Sequence, residues 1–141
     1  MQEYITFITA HPYLFIALGI VVVMLFFNLF GAKISGYKSA TPSDATMLIN
    51  RENAVFLDVR TDKEFQNGHI VNAINIPQSN LQTRLGEMEK HKDKPVIVAC
   101  KSGNRSGAAC AVLKKQGFEH IYNLSGGILA WQAANLPITK K

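Results

Sequence analysis

The sequence predicts an α/β domain with a parallel central sheet and helices on both of its faces, preceded by one transmembrane helix. Two observations predict this class. After Thr41, short apolar runs typical of buried strands alternate with helical segments, an order that produces a parallel sheet covered on both faces. Before that point, no Asp, Glu, Lys or Arg occurs between Tyr4 and Ala32. A chain of 141 residues has room for one ordinary domain and an appendage.

The N-terminal apolar run is long enough to cross a membrane. With its flanks it reaches the roughly 20 residues that a helix needs to span the hydrocarbon core, and Pro12 suits the first turn of that helix. A buried core helix would show a polar stripe, which this run lacks. A cleaved signal peptide would begin with basic residues, whereas this chain has Glu3 and no Lys or Arg there. We therefore predict an uncleaved span over 12–31, after an extramembrane segment over 1–11.

Charges on either side of the span predict its orientation. Glu3 precedes the span, and Lys33 and Lys38 follow it. Positive charge next to a span favours the cytoplasmic side, so the domain is expected to face the cytoplasm. The two cysteines are too few for a disulfide framework, and free thiols fit the same reducing compartment. The Gly, Ser, Lys and Ala residues over 32–41 predict a linker.

The predicted domain covers residues 42–141, and its strands and helices alternate. A capping box at Thr61–Glu64 opens one short helix, and Gly117 ends another. The predicted strands are 54–57, 73–76, 95–99 and 120–124. The predicted helices lie over about 43–50, from Thr61 to Gly68, around Leu81, Leu85 and Met88, over 106–116 with Ala108, Ala109 and Val112 inward, and over 128–135.

Cys100 is the candidate nucleophile. The strand over 95–99 delivers it to the carboxyl edge of the sheet, where ligands bind in parallel sheets, and a polar loop then leads into a helix. A helix N-terminus and inward N–H groups stabilise a thiolate, and nearby cations add to the effect. The same loop would hold an oxyanion. The candidate loop residues are Lys101, Ser102, Gly103, Asn104 and Arg105.

The remaining candidates have structural interpretations. Cys110 lies mid-helix among alanines and is predicted to be a core residue. Asp58 and Arg60, at a strand end, are predicted to support the site, and Arg60 is expected to pair with Glu64. His69 is expected to be a hydrogen-bonded turn residue. Trp131 is expected to pack the last helix on the sheet, and Gly126–Gly127 to form a turn.

The formal charge of the chain is +5, which is mild. Its basic residues form no run interleaved with aromatic residues, which argues against nucleic acid as a partner.

Several of these motifs together resemble the rhodanese-like family. Segment 100–106, with 125–131 downstream, is similar to the family's active-site loop and closing motif. Segments 57–60, 64–65, 68–70 and 72–77 are similar to its first signature. The resemblance covers about 41–137. With the span, the whole chain is similar to membrane-anchored single-domain members, which implies the bacterial inner membrane as its location and the lipid bilayer as a partner.

The resemblance implies a rhodanese-like fold and a sulfurtransferase. Cys100 would take sulfane sulfur from thiosulfate or a persulfide donor, hold it as a persulfide cradled by the loop N–H groups, and pass it to a thiol or to cyanide. No metal or other cofactor is implied. The loop 100–105 has six residues, as in sulfur-transferring members, whereas the related phosphatases use one more. A membrane-tethered interaction module with little catalysis, docking a membrane protein, is the alternative.

Overall fold

Two helices form the N-terminal unit of the protein, and an α/β domain forms the second. The computed structural model describes residues 1–140, with the backbone alone over 31–34. Lys141, which belongs to the predicted domain, lies outside the described residues. The chain divides into the compact units Met1–Ser35 and Gly36–Lys141.

The N-terminal unit contains α1 (Gln2–Ala10) and α2 (Pro12–Ile34). Pro12 begins α2 without loss of a hydrogen bond, because the first N–H groups of a helix have no partner within it. The stretch Pro12–Phe30 has a mean hydropathy of 2.6, and none of its residues is buried. By length and composition α2 is therefore sufficient to cross a membrane.

The central sheet of the domain has five strands, in the spatial order β1-β6-β5-β2-β4. The strands run in parallel throughout. Their bounds are β1 Lys38–Ala40, β2 Val55–Asp58, β4 Ile74–Asn75, β5 Val96–Ala99 and β6 Ile121–Leu124. A separate antiparallel pair joins β3 (His69–Ile70) to β7 (Ile138–Thr139). The predicted parallel sheet is confirmed.

Helices connect the strands and cover the sheet. They are α3 Pro42–Glu52, α4 Asp62–Gln66, α5 Leu81–Arg84, α6 Asn104–Lys115 and α7 Gly127–Ala133, with 3₁₀ helices at Gln78–Asn80 and Leu85–His91. Thr61 and Glu64 form the predicted capping box of α4, and Thr41 with Asp44 forms another at α3. These caps satisfy N–H groups that a helix leaves without an internal partner.

Each face of the sheet has its own hydrophobic core, because side chains along a strand alternate between the faces. Leu57, Val96 and Val98 pack on one side with Leu113 and Met88. On the other face, Ile97 packs in a second cluster; its further members include Phe56, Ala99, Ala45, Ile128 and Trp131. The predicted cover of helices on both faces is confirmed.

The region between the span and the domain differs from the predicted linker. Residues Lys38–Ala40 form β1, paired with β6, and Ala40 is buried. The strand escaped prediction because it is short and contains no β-branched or aromatic residue. A short edge strand that carries a lysine is a common way to blunt the exposed edge of a sheet.

Two helical predictions also need correction. Leu81, Leu85 and Met88 are buried as expected, but only Leu81–Arg84 is α-helical and the rest is a 3₁₀ helix. A 3₁₀ helix has three residues per turn, so Leu85 and Met88 still share a face. In α6, the sequence predicts an inward-facing Ala108, whereas the structure shows Ala108 exposed.

Candidate active site

Cys100 lies at the carboxyl end of β5, and the chain between it and α6 wraps around its sulfur. The side chain is only 1% exposed. The backbone N–H of Gly103 donates to Cys100 Sγ over 3.0 Å. That bond requires a sharp reversal of the chain, and Gly103 has a φ of +98°, in a region that residues with a Cβ rarely adopt. The N–H of residue 103 can therefore face the sulfur because this position is a glycine.

Two polar side chains complete the surroundings of the sulfur. The Cys100 thiol donates to the hydroxyl oxygen of Ser106 over 3.4 Å. The Ser106 hydroxyl contacts the carbonyl of Gly103 at 3.0 Å and the side-chain oxygen of Asn123, while Asn123 Nδ2 donates to the same carbonyl over 3.2 Å. When the thiol loses its proton, the Ser106 hydroxyl can rotate to donate to the sulfur.

The hydrogen bonds, not the burial, decide the ionisation of Cys100. Burial raises the pKa of the thiol, because the charged form loses its hydration. The Ser106 hydroxyl and the N–H groups of Ser106, Gly103 and Ser102 act in the opposite direction and prevail, so the pKa lies below its ordinary value. Ser106 is in the first turn of α6, so one of these donors belongs to a helix N-terminus. The hydrogen bonds therefore shift the ionisation of Cys100 towards the thiolate.

The second cysteine has the opposite character. Cys110 is buried in the core as predicted. Burial, followed by the charge of Cys100, raises the pKa of Cys110 to about 12. A thiol with so high a pKa stays protonated at neutral pH and is a poor nucleophile.

The start of α7 supports the active-site loop by donating hydrogen bonds to two of its backbone carbonyls. The N–H of Ile128 donates to the Cys100 carbonyl over 2.8 Å, and the N–H of Leu129 donates to the Lys101 carbonyl over 3.2 Å. A Cβ on Gly127 would lie 2.4 Å from the Cys100 oxygen, so this approach requires glycine. With its carbonyls held, the loop keeps its N–H groups free to face the sulfur.

Arg105 is held by an ion pair that the sequence did not predict. It donates to both carboxylate oxygens of Glu64, with Arg105 Nη2 to Glu64 Oε1 at 2.8 Å and Nη1 to Oε2 at 3.1 Å. Arg105 lowers the pKa of Glu64 to about 2, and Glu64 in turn raises that of Arg105. Glu64 also caps α4, so this carboxylate ties the active-site loop to that helix.

The expected pairing of Arg60 with Glu64 is therefore wrong. Arg60 Nη2 instead contacts Asp58 Oδ2 at 2.7 Å, Nε donates to the same carboxylate, and Nη2 also donates to the Gly68 carbonyl. Both side chains of this pair are buried. Because Arg60 is only two residues after Asp58, its guanidinium stays against the end of β2. Glu64 is therefore available to pair with Arg105. A buried pair with this many bonds fits the supporting role expected of both residues.

The other loop residues face solvent. The side chains of Lys101, Ser102 and Asn104 are exposed. Lys101 has no ion-pair partner among residues 1–140, and it lines a cleft of about 230 Å³ beside the loop. The cleft is further lined by Arg60, Glu64, Asn67, Gly68, Ile128, Leu129 and Gln132. The sequence placed Lys101 and Arg105 as cations near the thiolate, but Arg105 is neutralised by Glu64.

Trp131 has the structural role that the sequence predicts, and His69 is hydrogen-bonded as predicted but lies in β3 and not in a turn. His69 is buried, stacks on Phe65 with ring centroids 3.7 Å apart, and binds the Phe65 carbonyl through Nδ1 at 2.8 Å. Trp131 packs edge-on against Phe56 of β2 and donates its indole N–H to the Pro137 carbonyl. These contacts fix α4 and α7, the helices that flank the cleft.

Three residues of the site escaped prediction as functional residues. The sequence indicates Ser106 as the start of a helix and the last residue of the family-like segment 100–106, Asn123 as part of a strand, and Glu64 as a cap and a partner of Arg60. It gives none of them a direct role beside the sulfur. A signal was present for Asn123, because a polar residue near the carboxyl end of a strand in a parallel sheet lies at the ligand-binding edge. The signal for Ser106 is weaker: it lies in the first helical turn after the loop, where its N–H and hydroxyl can face a group bound by the loop.

The fold and the site together define a class: α/β domains that present a thiolate from a tight loop between a parallel strand and a helix. The chain belongs to the rhodanese-like domain family, whose model matches residues 41–134. The same family contains proteins named as sulfurtransferases, so sulfur transfer is its activity at the family level.

Individual relatives cover different parts of the chain. The uncharacterized protein YibN of Escherichia coli K12 is 39% identical over 141 residues, 99% of each chain. The thiosulfate sulfurtransferase GlpE of Shewanella oneidensis is 33% identical over 101 residues, 72% of this chain and 98% of the relative. A crystal structure of a rhodanese-related protein from Thermoplasma volcanium matches with a TM-score of 0.67 and 35% identity, over 74% of this chain and 100% of that one.

Proposed function

We propose that this protein is a membrane-anchored sulfurtransferase that carries sulfane sulfur as a persulfide on Cys100. The observation that supports this most directly is the sulfur of Cys100, which is bonded to the Gly103 N–H and Ser106 hydroxyl and has a lowered pKa. Those donors stabilise a thiolate, which is the form of cysteine that attacks a sulfur donor. After attack they can bond to the terminal sulfur of a persulfide anion.

The proposed reaction has two balanced steps. The Cys100 thiolate attacks the outer sulfur of thiosulfate; a new S–S bond forms, the bond to the sulfonate sulfur breaks, and sulfite leaves with the electron pair. The terminal persulfide sulfur is then attacked by an acceptor thiolate, which becomes a persulfide, or by cyanide, which becomes thiocyanate. The Cys100 thiolate is the leaving group, so no external oxidant or reductant is consumed.

The cleft beside the loop is the proposed approach for donor and acceptor. Lys101 contributes a positive charge that suits an anionic donor, and Ile128 and Leu129 supply an apolar wall. A protein persulfide could supply the sulfur in place of thiosulfate, because the thiolate attacks either by the same displacement.

The proposed location is the bacterial inner membrane, with the domain facing the cytoplasm. The apolar α2, whose stretch Pro12–Phe30 is unburied, supports the anchor, as does the lysine bias after it. YibN of Escherichia coli matches 99% of this chain, which includes the span, whereas GlpE of Shewanella oneidensis matches 72% of it.

The intact mass of fragment 36–141 after incubation with thiosulfate tests the activity. This fragment contains the whole sheet, and relatives that consist of this domain alone exist as separate proteins. We expect one added sulfur atom on the wild-type fragment and on Cys110→Ser, and none on Cys100→Ser. Cyanide should remove it and release an equal amount of thiocyanate.

A wild-type fragment that does not take up sulfur would contradict the proposed activity. If neither thiosulfate nor a small-molecule persulfide adds sulfur to the wild type while Cys100 alkylates normally, sulfur transfer is refuted. The interaction module then becomes the better proposal. A membrane protein that co-purifies equally with wild type and Cys100→Ser would support that alternative.

A further inference from the structure

Lysines gather at the amino edge of the sheet, opposite the edge that carries Cys100. In a parallel sheet the strands all begin at one edge, and the helices that return the chain also end there. Lys38 begins β1, Lys94 precedes β5, and Lys114 and Lys115 end α6. We name the following set the basic edge: Lys38, Lys92, Lys94, Lys114 and Lys115.

Contacts within the domain bring these lysines together. The Lys114 side chain lies across Gly36, where a Cβ would be 3.1 Å from Lys114 Cε. Lys92 lies against Gly117, two residues after the end of α6, and its Nζ is 5.6 Å from the ring centroid of Phe118. Gly36 is the first residue of the domain, so the chain arriving from the span enters beside Lys114.

The basic edge keeps an excess of positive charge. Lys92 pairs with Glu89 at 3.1 Å, and Asp93 and Glu119 are further acidic neighbours. At the end of α3, Glu52 and Arg51 line a groove with Lys38 and offset each other in charge. Among the described residues, the other four lysines form no ion pair and are exposed. Around the active site, by contrast, Arg60 and Arg105 are neutralised by carboxylates.

We propose that the basic edge binds anionic phospholipid headgroups, which holds Cys100 on the side of the domain that faces water. The inference rests on the proposed membrane anchor, because the chain that leaves the span continues directly into Gly36. A lysine near an anionic leaflet strengthens binding roughly fivefold, and the effect is confined to about a Debye length. Exposed lysines beside the entry point of the chain satisfy both conditions.

The orientation restricts the substrates. From Pro95 to Cys100 the extended chain rises by about 17 Å. The headgroup layer on one side of a bilayer is only about 5–8 Å deep. A domain resting on its basic edge therefore opens Cys100 and its cleft to the aqueous phase. Sulfur donors and acceptors are then water-soluble molecules or protein domains that project into water, and lipid-soluble thiols are excluded.

Co-sedimentation of fragment 36–141 with vesicles tests the proposal. Vesicles of equal parts phosphatidylglycerol and phosphatidylethanolamine would be compared with phosphatidylcholine alone. We expect binding to the anionic vesicles only, and its loss at high salt. The double variant Lys114→Gln/Lys115→Gln should bind on the order of twentyfold more weakly. The matched control, Lys63→Gln/Lys140→Gln, removes two exposed lysines away from this edge and should bind within about twofold of wild type.

Three results would overturn the proposal. They are absence of binding to anionic vesicles at low salt, equal loss of affinity in the two double variants, and tighter binding of an unrelated RNA duplex than of the vesicles at the same salt. Sulfur loading of Cys100 in both variants shows that the domain is folded. Because Cys100→Ser should bind vesicles like wild type, failure of the lipid proposal and failure of sulfur transfer are distinguishable.

Discussion

Ser106 sets the reactivity of Cys100 more than any other side chain near the sulfur. Its hydroxyl and N–H both lower the pKa of the thiol, against the effect of burial. We expect Ser106→Ala to raise that pKa, because the hydroxyl donor is lost while the burial stays. The rate of alkylation by iodoacetamide should then reach half its maximum at a higher pH than in the wild type. Thiosulfate loading at neutral pH should slow in proportion to the thiolate fraction.

Ser102 provides the matched control for Ser106. Its N–H contributes to the lowered pKa of Cys100, but its own side chain is exposed and forms none of the hydrogen bonds around the sulfur. Ser102→Ala should therefore leave the alkylation profile unchanged. An unchanged profile in Ser106→Ala as well would contradict the assignment of the hydroxyl as a thiolate donor.

Gly127 allows the active-site loop to rest on the start of α7. An added Cβ would lie within 2.7 Å of three backbone atoms of Cys100 and Lys101, and the φ of +61° disfavours any other residue. Gly127→Ala should lower the free energy of unfolding by about 1–3 kcal/mol and displace the loop enough to slow sulfur loading. Urea unfolding and the mass assay measure the two effects. Gly86→Ala is the control, since no atom lies within 4 Å of its position, and normal loading in Gly127→Ala would refute the support role.

At the scale of elements, Glu64 links α4 to the active-site loop. Glu64→Gln keeps a residue that can complete the capping box but removes the charge that pairs with Arg105. The pKa of Glu64 falls from 4.5 to about 2 on folding, so its contribution to stability is complete above pH 4.5. The contribution is lost as the pH falls through 2. Both side chains are about one-third exposed, which limits the effect at pH 7 to about 1 kcal/mol.

Unfolding by urea at several pH values measures this contribution. The difference in free energy of unfolding between wild type and Glu64→Gln should be constant from pH 7 to about 5 and then shrink towards pH 2. Glu64→Ala removes the cap as well, so it should cost about 1 kcal/mol more, and this extra cost should remain at low pH. A difference for Glu64→Gln that does not change with pH would contradict the ion pair with Arg105.

Strand β1 is an essential part of the sheet despite its three residues. The Ala40 carbonyl accepts from the Ser125 N–H over 2.8 Å, and β6 carries Asn123, which holds the Gly103 carbonyl. A fragment that begins at Thr41 loses the hydrogen bonds between β1 and β6 and exposes β6 as an edge. We expect its free energy of unfolding to fall on the order of 2 kcal/mol, and its tendency to self-associate to rise.

Fragments of graded length test the role of β1. Fragments 31–141 and 36–141 both contain the strand and should unfold at the same urea concentration, whereas 41–141 should unfold earlier and elute as larger species. Its sulfur loading should be slower, because Asn123 lies on the strand that has lost its neighbour. Equal stability of all three would show that the domain begins after β1.

At the scale of the whole molecule, the local pattern of the sequence was enough to predict the fold class and the place of Cys100. Alternating strand and helix signals predict a parallel sheet, and such a sheet binds ligands where its strands end. Cys100 directly follows the most apolar strand, so the residues next to it in the sequence are enough to place it at the carboxyl edge of the sheet. The capping box at Thr61 is similarly local, with both partners three residues apart.

The features that escaped prediction depend on contacts between distant parts of the chain. Arg105 and Glu64 are 41 residues apart, and Ser106 and Asn123 are 17 apart. Nothing in the sequence favours Glu64–Arg105 over Glu64–Arg60, since an arginine four residues before a glutamate is a plausible partner. Residues 38–40 have little preference of their own for a strand. They form β1 because they pair with the edge of β6.

The orientation of the protein in a membrane is the last prediction. Lys33 and Lys38 follow the span, and Glu3 precedes it, so the C-terminal side is expected in the cytoplasm of bacterial cells. Alkaline phosphatase fused after Lys141 should be inactive, and green fluorescent protein at the same place should fluoresce. Reversal of the bias with Glu3→Lys and Lys33→Gln should activate the phosphatase in part of the population. An active phosphatase on the unmodified protein would contradict the predicted orientation, and it would also remove the cytoplasmic leaflet as the surface next to the basic edge.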